Sequence, residues 1–241
     1  DLTEFVNHIR GEEGSQVHLV IARSGEAENL EFDITRKNLV LPTVSSQMLE
    51  NHTGYIQVTE FTEHTAEQFE EALDSLQGDG MTALIVDLRS NPGGMLTSVC
   101  DMLDDILPKG LLVYTEDRSG KRVDYTSTDE KTLDLPLAVL VNGYSASASE
   151  IFAGAIQDRK AGTIIGTTTY GKGVVQSILT LKDGSAFKIT TNRYFTPSGT
   201  CIQGIGITPD EELEYEFTGP EGVGYSVEYD NQIHRVYGSP V

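Results

Sequence analysis

The chain has 241 residues, with 17 Lys and Arg against 37 Asp and Glu, a net charge of −20, and 38% hydrophobic residues. That length and apolar content support one large domain, or one domain plus part of another. The acidity excludes a nucleic-acid duplex or an anionic membrane surface as the main partner, because phosphate binding needs clustered Lys and Arg.

The first predicted element is a helix over 1–11, where Leu2, Phe5, Val6 and Ile9 fall at helical spacing. SQVHLVIAR (15–23) alternates Val17, Leu19 and Ile21 and predicts a half-buried strand; LEFDITR (30–36) predicts another. Residues 38–54 carry Pro and polar side chains and read as a connector. A strand is expected from Tyr55, then an amphipathic helix within 62–80 that ends at Gly78. TALIVDLR (82–89) is nearly continuous in apolar residues, the pattern of a strand buried on both faces. The turn NPGG (91–94), a helix over 95–107 and strands over 111–117 and 135–143 follow. A helix is expected over 147–160, then a short strand over 163–167. Strands at 173–181 and 185–196 flank the turn Asp183-Gly184. Strands alternating with helices predict an α/β layered core. The Gly-rich, acidic end (218–241) reads as a docked arm or a tail.

No run reaches the ~18 apolar residues of a membrane span, and no signal peptide opens the chain. No His/Cys cluster has zinc spacing, so no metal is expected, and Cys100 and Cys201 are not expected to pair.

Three stretches could carry chemistry. GTTTYGKG (166–173) nearly matches a phosphate-binding loop. Gly173 stands where that loop needs Ser or Thr, and a strand-like segment follows where it needs a helix, so nucleotide binding is rejected. NGYSASASEIFAGAIQD (142–158) runs from an apolar strand into small residues and a helix. Its serines read either as N-caps or as an exposed nucleophile. The elbow G-x-S-x-G is not met, and His52 and His64 read as surface residues, which argues against a Ser-His-Asp triad. VDLRSNPGG (86–94) delivers two glycines at a strand end, either as a tight turn or as an oxyanion hole.

Taken together, DLRSNPGG, GYSASASEI, YGKGVVQ and TNRYFTPSGTCIQGIGITPD resemble the S41 family of carboxyl-terminal processing (tail-specific) serine peptidases, over roughly residues 55–215. The resemblance implies a ClpP/crotonase-like core with a mixed sheet over 55–217. It also implies that 1–37 is the C-terminal part of a PDZ domain, whose first half is missing from the chain. It places the nucleophile on Ser147, the general base on Lys172 and a lysine-orienting residue on Gln176. The oxyanion donors fall on the backbone N–H groups of Gly93 and Ala148. It implies no cofactor, and protein or peptide substrates with free C-termini. It further implies an extracytoplasmic setting, no membrane insertion by this stretch, and leaves self-association open.

A lysine can act as base only as the neutral amine, which calls for an apolar setting. Val174, Val175, Ile164 and Ile165 could supply one, and strand alternation would put 172, 174 and 176 on one side. The competing readings are an inactive or activator-dependent binding scaffold on the same fold, and acyl-CoA chemistry on a related core.

Overall fold

A computed structural model of the chain describes residues 2–128 and 132–214, together with a short pairing of 217–218 with 224–225. The arm or tail expected over 218–241 lies, apart from that pairing, outside the described residues. The described chain divides into two compact units, 1–42 and 43–241.

The first unit holds α1 (Leu2–Ile9) and an antiparallel hairpin of β1 (Gln16–Ile21) and β2 (Leu30–Thr35). Arg36 ties them together. Its guanidinium donates to the carbonyls of Ile9 (2.7 Å) and His8 (3.0 Å) at the end of α1, and to Ser15 Oγ (2.8 Å). A cation there meets orphan carbonyls and the negative end of the helix dipole.

In the second unit, β3 (Val44–Met48) and β4 (Thr53–Val58) are followed by α2 (Thr65–Gly78), β5 (Ala83–Asp87) and α3 (Leu96–Asp104). Next come β6 (Gly110–Asp117), β7 (Arg122–Ser127), β8 (Leu137–Val141), α4 (Ala148–Asp158) and β9 (Thr163–Gly166). The hairpin β10 (Val174–Thr180) and β11 (Ala186–Phe195) and the short β12 (Glu211–Glu212) complete it. A six-stranded sheet runs β12-β9-β8-β5-β4-β3, parallel except for the antiparallel edge strand β3. A four-stranded antiparallel sheet runs β10-β11-β6-β7. The class is mixed α/β with a mixed sheet.

Three readings of the sequence change. The stretch 38–54, expected to be a connector, contains β3; its Ser and Gln suit an edge strand, where outward side chains meet water. Strand β7 was not anticipated, because Arg122, Asp124 and Ser127 hide its alternation. The β5 stretch is not buried on both faces. Leu84, Val86 and Leu88 are at most 1% exposed, whereas Ala83 and Ile85 on the other face are half-buried.

Leu84, Val86 and Val139 of the sheet share one buried core with Phe69, Leu73 and Leu76 of α2, Val99, Met102 and Leu103 of α3, and Phe152 and Ile156 of α4. Every residue of α4 from Ala148 to Ile156 is buried, so this helix is the axis of the core. Its small residues permit that: a methyl group at Gly154 would come within 2.8 Å of Thr196 Cγ2. Cys100 and Cys201 are free, and burial, then Asp101, push the Cys100 thiol up to about 12.

At the carboxyl end of β5, Asp87 is 1% exposed. It accepts from Tyr55 Oη (2.7 Å), Arg89 Nη2 (2.6 Å) and the Arg89 backbone N–H (2.9 Å). Burial works against its charge, but the Arg89 and Tyr55 bonds outweigh burial and hold the carboxyl below its usual range. A depressed carboxyl stabilises the fold above its unfolded value, about 3.9. That contribution is lost as pH falls from there through the lower folded value. The urea midpoint of the wild type should therefore fall more steeply below about pH 4 than that of Asp87→Asn.

Candidate active site

The site forms where β5 and β8 end side by side. Strand β5 runs into 88–94, and β8 runs into the turn that enters α4. Ser147 is the N-cap of α4, with φ 57° and ψ −113°. A serine at positive φ is strained, by roughly 1–3 kcal/mol, and such strain persists only where the surroundings hold it. Here they do. Ala146 N–H donates to Asn91 O (3.0 Å), Ser147 N–H to Glu150 Oε2 (2.8 Å), and Ile151 N–H to Ser147 O (3.0 Å).

The neighbouring serines are committed elsewhere. Ser145 Oγ donates to Leu88 O (2.7 Å) and accepts from Asn142 N–H (3.0 Å), while Ser149 Oγ donates to Asn91 O (2.9 Å). Both are fully buried, whereas Ser147 is half-buried, so among the three only Ser147 is placed for an incoming group.

Asn91 is 0% exposed and knits the NPGG turn to this elbow. Its Nδ2 donates to Val58 O (2.8 Å) and its Oδ1 accepts the Gly93 N–H (2.8 Å). Gly93 (φ 96°) lies directly against Ser147: a Cβ there would come 2.7 Å from Ser147 Cβ and 2.8 Å from Ala148 N. Only glycine fits this approach. The backbones of Gly93 and Ala148 thus flank Ser147, with Ala148 N–H at the start of α4 and Gly93 N–H engaged by Asn91.

Lys172 lies in the loop between β9 and β10 and is half-buried. The loop is fastened by Glu150, which is 0% exposed and projects from the first turn of α4. Glu150 Oε1 accepts from Thr169 Oγ1 (2.7 Å) and Gly171 N–H (2.6 Å). Its Oε2 accepts from Lys172 N–H (2.8 Å) as well as Ser147 N–H. One carboxylate oxygen therefore joins the main chains of the predicted nucleophile and the predicted base. From the other side, Gly204 N–H donates to Gly171 O (2.8 Å), and Gly173 N–H donates to Gln203 Oε1 (2.9 Å). Tyr194, 3% exposed on β11, donates its hydroxyl to Lys172 O and its N–H to Gly173 O (3.1 Å).

Among the described residues no hydrogen bond joins Lys172 Nζ to Ser147 Oγ, and no ion pair joins Nζ to Glu150. Ile164 is 0% exposed, and Val175 is half-buried against the core. Gln176 is exposed on β10. The expected alternation of 172, 174 and 176 does not occur. Lys172 precedes the strand, and a bulge shifts the register between Val175 and Gln176.

Sequence reasoning missed Glu150, Thr169, Asn91 and Tyr194. A signal for Glu150 was present: Ser147-Ala-Ser-Glu150 is a capping-box pattern. Asn91 was legible as a turn former, because Asn side chains bond the backbone two residues on. Thr169 and Tyr194 carry no local signal, since their partners are distant in sequence.

Comparison with known proteins agrees in sequence and in shape. Residues 52–213 match Peptidase family S41. The "Carboxyl-terminal-processing protease" of Synechocystis sp. is 37% identical over 239 residues, covering 95% of this chain and 56% of the relative. The "Carboxy-terminal-processing protease" of Bartonella bacilliformis is 42% identical over 221 residues, covering 88% of this chain and 50% of the relative. The chain thus spans about half the length of these relatives. The solved structure of a photosystem II D1 C-terminal processing protease matches with a TM-score of 0.68 and 32% identity, over 88% of this chain and 59% of that one. With the motifs and the fold in agreement, the chain belongs to peptidase family S41.

Proposed function

We propose that the protein is a serine endopeptidase that hydrolyses peptide bonds near the C-termini of protein substrates, with Ser147 as nucleophile and Lys172 as general base. The observation that carries the reading is the Glu150 carboxylate, which fixes the Ser147 elbow and the Lys172 loop to each other. In the reaction, Lys172 Nζ takes the Ser147 proton while Oγ attacks the substrate carbonyl carbon. The C–O bond to Oγ forms and the carbonyl π electrons move to oxygen. Lys172 then returns the proton to the leaving amine, and water hydrolyses the acyl-enzyme.

The N–H groups of Gly93 and Ala148 are the candidate oxyanion donors. Gly93 N–H is shared with a neutral carboxamide, Asn91 Oδ1, and an oxyanion is the stronger acceptor of the two. Gln176 retains a role in orienting Lys172 only if substrate binding reshapes β10, since it is exposed here. The relatives' names, and the placement of some of them by name in the chloroplast, support proteolysis of protein substrates outside the cytoplasm.

A second reading has one observation in its favour: without a direct Lys172–Ser147 bond, the site would be at rest until substrate or an activating partner closes it. A fluorophosphonate probe followed by peptide mapping separates the two. Labelling of Ser147 in the protein alone is expected; labelling only after a protein substrate is added supports the activated form, and labelling at another serine contradicts the assignment.

A further inference from the structure

We propose that Asn91 is a positioning residue for the oxyanion turn, its buried carboxamide holding Gly93 in register with the Ser147 elbow. The inference rests on the reading above, in which Ser147 is the nucleophile and Gly93 and Ala148 line the oxyanion hole.

Every polar group of Asn91 has a partner, and the partners lie on four segments of the chain. Its N–H donates to Leu88 O (3.2 Å), just beyond β5. Its C=O accepts from Ala146 N–H (3.0 Å) and from Ser149 Oγ (2.9 Å), on either side of Ser147. Its Nδ2 donates to the carbonyl of Val58 (2.8 Å), the last residue of β4, and its Oδ1 accepts the Gly93 N–H (2.8 Å). The two ends of the side chain are not interchangeable. Val58 O can only accept and Gly93 N–H can only donate, so a carboxamide in one orientation meets both. With the residue 0% exposed, no water stands ready to replace either bond.

These bonds divide into two sets. Those of the main chain fix the elbow, and any residue at 91 that preserves the backbone keeps them. Those of the carboxamide fix the turn. Pro92 has no N–H to anchor it, and Gly93 has no side chain. Gly93 is therefore held at two points: its carbonyl accepts Phe61 N–H (3.0 Å), and its N–H rests on Asn91 Oδ1. Between those points it packs on the elbow, where a Cβ would come 2.5 Å from Ala146 O. Without the carboxamide, one of the two points is lost. The Gly93 peptide can then rotate about the other and carry its N–H away from the forming oxyanion, while Ser147 stays where it is. The neutrality of the carboxamide matters as well. It keeps the N–H paired at rest and, as charge develops on the substrate oxygen, shares that N–H without repelling the charge.

The test compares a peptide ester with its thionoester, in which sulfur replaces the carbonyl oxygen. Sulfur accepts hydrogen bonds weakly, so an oxyanion hole favours the ester. Rates are expressed per active site, counted from the end point of fluorophosphonate labelling at Ser147. In Asn91→Ala, kcat/KM for the ester should fall about 10- to 100-fold, the range for a donor displaced by about an ångström. The thionoester should change little, so the preference for oxygen shrinks by the same factor. The labelled fraction should match the wild type. A merely structural role would lower the thermal midpoint and leave the oxygen preference of the labelled molecules unchanged; that outcome overturns the inference, as does a wild type with no oxygen preference. Should Asn91→Ala not fold, Asn91→Asp keeps the shape. Protonated, its carboxyl donates to Val58 O and accepts from Gly93 N–H as the carboxamide does; ionised, it cannot donate to Val58 O. Its ester rate per labelled site, relative to wild type at the same pH, should rise as pH falls through the titration of that carboxyl, and a flat ratio overturns the inference. Ser147→Ala run alongside separates the two levels. Wild-type ester turnover by Ser147→Ala removes the nucleophile reading, whereas an inactive Ser147→Ala with an unchanged oxygen preference in Asn91→Ala removes only the role of Asn91.

Discussion

Ser147→Ala and Lys172→Ala should each lower cleavage of an unstructured protein substrate by about 10⁴-fold or more, the scale on which loss of a nucleophile or its base acts. On the proposed mechanism the two groups perform one step, so the double variant should be no slower than either single one. Neither substitution should prevent folding. The elbow's main chain is held through the Ser147 and Ala146 N–H groups and the Ser147 carbonyl, none of which an alanine removes. The backbone at 147 offers a second readout. Alanine suffers the same positive φ as serine, whereas glycine does not. Ser147→Gly should therefore have a higher thermal midpoint than Ser147→Ala although both are inactive. Strain at the nucleophile would then be visible as stability recovered on its release. Equal midpoints would show that the surroundings impose no cost at this residue.

What the sequence made legible follows from what each feature depends on. The parallel strands and helices could be read because their signals are local: ALIVD and LAVLV are apolar, and α4 follows a run of small residues. The glycines and serines of the site could be read because tight backbone leaves few residue choices, as at Gly93 against Ser147. The edge strand β3 could not, since a strand with water on its outer side needs no apolar pattern. The bulge at Val175/Gln176 could not either, and it breaks the alternation expected of 172, 174 and 176. The groups that fix the 169–173 loop were the least legible. Glu150, Thr169 and Tyr194 act across 19 to 22 residues of sequence, and a buried polar residue announces itself only when its partners are known.

Glu150→Gln should damage activity strongly, though less than loss of the base, even though it changes one atom and leaves the shape intact. The carboxylate offers only acceptors, and its four partners on the protein are donors: Ser147 N–H, Thr169 Oγ1–H, Gly171 N–H and Lys172 N–H. A carboxamide must turn its NH₂ toward one pair. If it faces Thr169 and Gly171, the NH₂ meets Gly171 N–H donor to donor and leaves it unpaired, while Thr169 Oγ1, which already accepts from Ile207 N–H (2.7 Å), has a second lone pair to accept from the NH₂. If it faces Ser147 and Lys172, both of those N–H groups are orphaned beside the reacting atoms. Each unpaired buried N–H costs about 1–3 kcal/mol. The orientation with a single orphan is the less costly, so the loss of stability should be about 1–3 kcal/mol, read as a lowered urea midpoint. The same choice loosens the 169–173 loop, and hydrogen exchange at Gly171 should rise with it. Activity should fall on the order of 100-fold as the base loses its fixed distance from Ser147. Glu150→Asp separates charge from reach. It restores the acceptors but is shorter by one methylene, so it cannot span from α4 to both Gly171 and Lys172. If the carboxylate acts by holding the two main chains together, Glu150→Asp should resemble Glu150→Gln in hydrogen exchange and rate. Recovery of wild-type activity by Asp would instead mean that charge alone is what the site needs.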